Sequence, residues 1–261
     1  MMTLCHHQYI STFLLLEEVF CVRRLMQSLR TSICALSRFE RCLWLCSACV
    51  VSLSFFLGDA SRPLTLVASL CGVTSLIFIA KGDVLGQFLT VAFSMLYAAV
   101  SLELRFYGEM ITYLFMTLPS AVAAIVTWLR HPFEASKNEV AIAHLRLRDK
   151  IETGILTILV TFVFFFILRA LNTANLPVST VSIATSFLAS YLLIKRSSFY
   201  ALAYAANDIV LIVLWTMAST QSLRNLPMVF CFLMFLCNDC YAWYNWQRIQ
   251  KRQHRVRQTD I

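Results

Sequence analysis

The sequence predicts an all-α integral membrane protein of about eight transmembrane helices, arranged as a parallel 3+1+3 repeat with one extra N-terminal helix before it. Three observations carry that expectation. The chain of 261 residues is 59% hydrophobic and 14% charged, with mean hydropathy +0.70 and 20 Phe, far from the roughly half-apolar, quarter-charged make-up of soluble domains. Apolar stretches of membrane-spanning length recur along it. Two of its segments also repeat each other in order and spacing.

Stretches of about 17 to 25 apolar residues fall at 42–57, 63–80, 84–103, 107–128, 153–171, 176–194, 198–218 and 226–247, the first being the shortest. With both termini cytoplasmic, all of the 22 Lys and Arg except Arg62, Arg105, Arg169 and Arg224 fall on the inner side, as the positive-inside rule requires. The net charge of +8 follows from those loops, and there is no basic folded domain to bind nucleic acid. Cys42, Cys46, Cys49, Cys71, Cys231, Cys237 and Cys240 lie within apolar spans and read as small hydrophobes. His6, His7, His131, His144 and His254 lie outside every span, so the intramembrane cluster a metal-dependent membrane enzyme needs is missing. No cofactor or metal is implied.

The repeat is read from two anchors. PLTLVASLCGVTSLIFIAK (63–81) and PVSTVSIATSFLASYLLIK (177–195) both open on Pro and close on Lys, 114 residues apart. LYAAVS (96–101) resembles LWTMAS (214–219), and Tyr97 stands as far before Trp128 as Trp215 stands before Trp246, now at an offset of 118. Repeat one, 63–128, and repeat two, 176–247, therefore flank a linker helix at 153–171 and share one orientation. Such an arrangement belongs to transporters, with the substrate between the two units.

Residues 1–41 form a cytoplasmic N-terminal segment of unassigned role. Glu17 and Glu18 interrupt its apolar run and Arg residues follow, so it is neither a signal peptide nor a span; an interfacial helix and a non-native start both stay open. The transporter domain occupies 42–248, and 249–261 is a basic cytoplasmic tail. The loop from Arg130 to Glu152 reads as a solvated linker between the repeats, and Trp243 and Trp246, next to Arg248, read as an interfacial aromatic belt.

At 100° per residue, Tyr200, Tyr204, Asn207, Asp208, Leu211 and Trp215 share one face of the seventh span. Asn207 and Asp208 lie near its middle, where polar groups are costly and mark function. Asn238 and Asp239 repeat the Asn-Asp pair in the last span, with Tyr241 and Asn245 continuing the face, while repeat one carries the milder stripe Gln87, Thr90, Ser94, Tyr97 and Ser101. At the 118 offset Thr90 stands where Asp208 stands and Ser120 where Asn238 stands. Two acids with amide partners and aromatic rings suit a ligand with a delocalised positive charge and hydroxyl groups. Asp208 and Asp239 could instead join helices by hydrogen bonds. The candidate substrate-binding set is Asn207, Asp208, Trp215, Asn238, Asp239, Tyr204, Tyr241, Gln87 and Tyr97.

KGDVLGQFLTVAFSMLYAAVSLELRFYGE (81–109), NDIVLIVLW (207–215) and NDCYAWYNW (238–246) resemble the PnuC family of nicotinamide riboside transporters, over roughly 63–248. The family's last helix often reads NDxYG before its Trp; here Ala242 replaces that Gly. The resemblance implies a fold similar to the SWEET sugar transporters and facilitated diffusion in the bacterial plasma membrane, made directional by a cytoplasmic kinase that phosphorylates the nucleoside. Thiamine, riboflavin or a deoxynucleoside is the alternative cargo, since related members carry other vitamins. A homo-oligomer stays open. A membrane enzyme is the rival class, and no His cluster, G-x-S-x-G or P-loop supports it.

Overall fold

A computed structural model describes residues 31–57, 62–104, 106–133, 139–173 and 175–259. Eight helices in it are long and apolar enough to cross a membrane: α1 (Arg38–Leu57), α2 (Pro63–Ala80), α3 (Val84–Glu103), α4 (Tyr107–Arg130), α5 (Leu147–Ala170), α6 (Leu176–Ile194), α7 (Tyr200–Gln221) and α8 (Leu226–Thr259). The reading of residues 1–30 lies outside the described residues.

Local chemistry sets several boundaries. Pro63 and Pro177 sit in the first turns of α2 and α6, where a missing N–H costs nothing. Asp83 caps α3 by accepting from the Leu85 amide at 2.9 Å. In α4, Pro119 cannot donate to the carbonyl four residues back, and the preceding turn, Tyr113–Thr117, widens to π geometry. α5 begins at Leu147, earlier than the apolar run alone indicates, because the Arg146 amide donates to Asp149 and closes the first turn. The basic tail is helical too. α8 has 34 residues, about 51 Å at 1.5 Å per residue, so it runs well beyond a core of about 30 Å.

The repeats are visible as packing. α3 lies between α2 and α4, and α7 between α6 and α8, while α2 packs on α8 and α4 on α6. Each repeat thus sets its first helix against the other's third, the pattern of a pseudo-two-fold. A residue can touch its own repeat mate only near that axis. The Trp215 indole donates to the Tyr97 hydroxyl, 118 residues away, at 3.1 Å, and the rings of Trp128 and Trp246 lie 5.7 Å apart at the same offset. The turns after α2 and α6 match as well, Gly82 and Arg196 both adopting left-handed backbone (φ 70° and 58°). α5 packs along α6 and leaves Ile158, Leu159 and Phe162 exposed, as a lipid-facing linker helix should.

Two expectations change. Trp246 is no belt residue: it is fully buried and donates to the Ile79 carbonyl at 2.9 Å, because α8 continues far enough to place position 246 inside the bundle. Nor is the linker solvated throughout, since Val140 and Ile142 are buried with Trp128, Tyr200 and Trp246.

α1 adds to the repeats through side chains. Trp44 donates to Thr74 at 3.0 Å, Tyr241 donates to Glu40 at 2.8 Å, and Lys81 pairs with Glu40 at 3.3 Å.

Membrane helices associate through close packing rather than a hydrophobic force, and Gly86 is where α3 meets α2 most tightly. A Cβ there would stand 2.5 Å from the Ile79 nitrogen and 2.8 Å from the Ser75 carbonyl oxygen. Backbone cannot yield as a side-chain tip can. Gly86→Ala is therefore expected to cost about 1–3 kcal/mol by overpacking, read as a lower melting temperature of the purified protein, with Gly86→Leu failing to accumulate in the membrane.

Candidate functional site

A cavity lies on the pseudo-two-fold axis. Ile79 and Leu193, Thr90 and Asp208, and Thr117 and Phe235 line it, and each of these is a pair of positions equivalent between the repeats. Repeat one supplies hydroxyls where repeat two supplies the acid and a ring. Asp208 is eight residues into α7, about 12 Å along its axis and towards the middle of the bilayer.

Four of the nine sequence-predicted residues meet here: Tyr204, Asn207, Asp208 and Asp239. Asp208 and Asp239 are both buried, their carboxyls within hydrogen-bonding reach of each other. Asp208 Oδ2 has no partner among the described residues. Asn207 Oδ1 accepts from Thr185 at 2.8 Å, Ser186 at 2.9 Å and Ser182 at 3.4 Å, all on α6, which fixes the amide plane at the cavity wall. Tyr204 bonds the Ser190 hydroxyl at 2.9 Å. None of the lining residues is Lys or Arg.

The other five stand elsewhere. Asn238 turns away from the cavity, donating to Ser47 of α1 at 3.0 Å and to the Met234 carbonyl. Tyr241 is held by Glu40. Gln87 is fully buried outside the lining, and neither of its amide atoms has a partner among the described residues. Tyr97 and Trp215 form the axial pair above the cavity, Trp215 against Phe106 and Tyr97 against Tyr113 with centroids 4.8 and 4.2 Å apart. Trp215→Ala in so packed a layer is expected to cost about 3–5 kcal/mol, lowering the melting temperature of the ligand-free protein, whereas Trp215→Phe retains most of it.

Sequence reasoning missed Ser75, Phe93, Tyr113 and Ser186 as lining residues. The serines had a signal: Ser179, Ser182, Ser186 and Ser190 recur at helical spacing and are all buried on one face of α6. Another buried acid, Glu109, stands near Tyr97 and Tyr113.

Two buried, aromatic-rich clusters contribute to the lining. Phe93, Tyr97, Tyr113 and Trp215 belong to one buried cluster, and Ile79, Leu193, Tyr200 and Trp246 to another. The cavity measures about 50 Å³, far less than the ~300 Å³ at which small-molecule pockets begin.

An acid-bearing cavity on the axis between two parallel helical repeats defines a membrane carrier. Residues 62–248 match the family model described as nicotinamide mononucleotide transporter, and the chain belongs to that family of multi-pass membrane transporters. It is similar to the nicotinamide riboside transporter PnuC of Neisseria mucosa, 26% identical over 80% of this chain and 81% of that one. The same protein from Haemophilus influenzae is 23% identical, over 80% and 90%. The crystal structure of the vitamin B3 transporter PnuC superposes with a TM-score of 0.74 at 25% identity, covering 84% of this chain and 94% of that one. The all-helical 3+1+3 architecture with one preceding helix agrees with that likeness.

Proposed function

We propose that the chain carries nicotinamide riboside across the bacterial plasma membrane by facilitated diffusion, with its Lys- and Arg-rich face and both termini cytoplasmic. The observation that carries this reading is the pair Asp208 and Asp239 in a cavity otherwise lined by hydroxyls, an amide, apolar side chains and aromatic rings, with no Lys or Arg. A pyridinium offsets the cost of burying two facing acids and is attracted to ring faces such as Tyr204 and Phe235. Asn207 and the hydroxyls suit a ribose. A mononucleotide would bring a phosphate against the same acids, and like charges in a desolvated site cost several kcal/mol.

That rejection also gives directionality a physical basis. Once a cytoplasmic kinase phosphorylates the riboside, the product no longer fits the acid-lined cavity and does not return. The remaining candidates, Trp215, Asn238, Tyr241, Gln87 and Tyr97, then act in gating or in the widened, substrate-loaded form.

Equilibrium binding of the purified protein to nicotinamide riboside, its mononucleotide, thiamine, riboflavin and a deoxynucleoside tests the assignment. The riboside is expected to bind tightest and the mononucleotide not measurably. Tighter binding of thiamine would keep the cation and change the vitamin, and tighter binding of riboflavin would remove the cation from the argument.

A further inference from the structure

The chain between α4 and α5 crosses the Lys- and Arg-rich end of the axis and is bonded to both repeats there. The Val140 amide donates to the Gly82 carbonyl at 3.0 Å, and the Ala143 amide donates to the Arg196 carbonyl at 3.0 Å. Gly82 and Arg196 are the two equivalent left-handed turns, so one short segment is tied to the same point of each repeat. Arg196 Nη1 also donates to the Ala141 carbonyl at 3.3 Å.

A latch from outside the membrane holds the segment down. Gln253, buried on the extension of α8, accepts from the Ile142 amide at 2.9 Å and donates to Glu139 Oε1 at 2.9 Å and to the Val140 carbonyl at 3.0 Å. Arg252 pairs with the same Glu139. Beneath the segment, Val140 and Ile142 pack in one cluster with Ile79, Leu193 and Tyr200, three residues that also line the cavity. The segment and part of the cavity lining thus share one buried cluster.

We propose that residues 139–143 are a strap that gates this end of the transport path, and that a solute passes only when the strap leaves one repeat. The geometry is restrictive. Residues 140 to 143 can span at most about 11 Å when fully extended, so the Gly82 and Arg196 turns cannot separate appreciably while both hold it. A cavity of about 50 Å³ must widen severalfold to take a nucleoside-sized solute, and widening at this end moves those turns apart. Main-chain bonds to turn carbonyls suit a contact that is broken and remade in each cycle. The strap rests on the chain being a carrier and not on which vitamin it carries.

Two reversible locks test this in proteoliposomes. Asp83→Cys with Glu139→Cys, opposite each other in an antiparallel bridge, ties the strap to repeat one. Ile142→Cys with Gln253→Cys ties it to repeat two. Each pair is joined by a short bis-methanethiosulfonate that reductant removes, and the parent chain, which has its own cysteines, is treated alike. Nicotinamide riboside flux is expected to fall about tenfold or more, as for a rate-setting closure, under at least one lock, and to return on reduction. Unchanged flux under both locks, with linkage verified on gels, would overturn the strap. His131→Cys with Ala141→Cys replaces the first pair if loss of the Asp83 cap prevents folding, the Ala141 amide donating to the His131 carbonyl at 2.9 Å. Absence of riboside flux before linking would count against the proposed substrate instead.

Discussion

Asp208→Asn and Asp239→Asn are each expected to lower affinity for nicotinamide riboside by about 30-fold or more while leaving the protein folded in the membrane. The magnitude follows from truncating one partner of a buried charge contact, about 2–5 kcal/mol, with each 1.4 kcal/mol worth tenfold. Folding survives because Asn keeps the shape of Asp and can still hydrogen-bond the remaining carboxyl. Binding and stability should therefore separate: weaker riboside binding at a near-parental melting temperature without ligand. If these acids merely join helices, both substitutions should lower the melting temperature and leave the affinity of the surviving protein unchanged. The double variant should also lose the preference for a pyridinium over an uncharged nucleoside.

Asn207→Leu is expected to abolish uptake with little loss of stability. Its amide oxygen is the shared acceptor of Ser182, Thr185 and Ser186, so removing it frees hydroxyls that have a second choice. Thr185 already reaches the Val181 and Ser182 carbonyls, and a helical Ser or Thr bonds back to its own turn at small cost. What the substitution cannot replace is the polar edge presented to the ligand. Ligand-induced thermal shift separates the effects, since only a ligand that binds the native state raises stability, by RT ln(1 + [L]/Kd). No shift with Asn207→Leu, at near-parental melting temperature, is the expected result; a retained shift would put the ribose elsewhere, first along Gln87 and Ser94.

The repeat was the most legible feature of the sequence, since the 118 offset that aligns Tyr97 with Trp215 and Trp128 with Trp246 pairs the same residues in space. Followed further, it would have withdrawn Trp246 from the interfacial belt. The second Asn-Asp pair shows where sequence reading ends. Neighbouring helical residues point about 100° apart, and in α8 Asp239 takes the cavity while Asn238 faces Ser47 of α1. That partner lies 191 residues away on the extra helix, and nothing local announces it. The strap was hidden for a similar reason: Val140 and Ile142 are two apolar residues in a mixed-charge loop, buried only because the turns of both repeats and the extension of α8 converge on them.

The most direct test of the whole reading is solute flux into proteoliposomes that hold the purified protein, without ATP and with proton and sodium gradients collapsed by ionophores. Labelled nicotinamide riboside is expected to enter until inside and outside concentrations are equal, and its mononucleotide to stay outside. Riboside entry that requires a proton or sodium gradient would reassign Asp208 and Asp239 to a coupling ion, and mononucleotide entry at the riboside's rate would contradict a cavity that selects for positive charge.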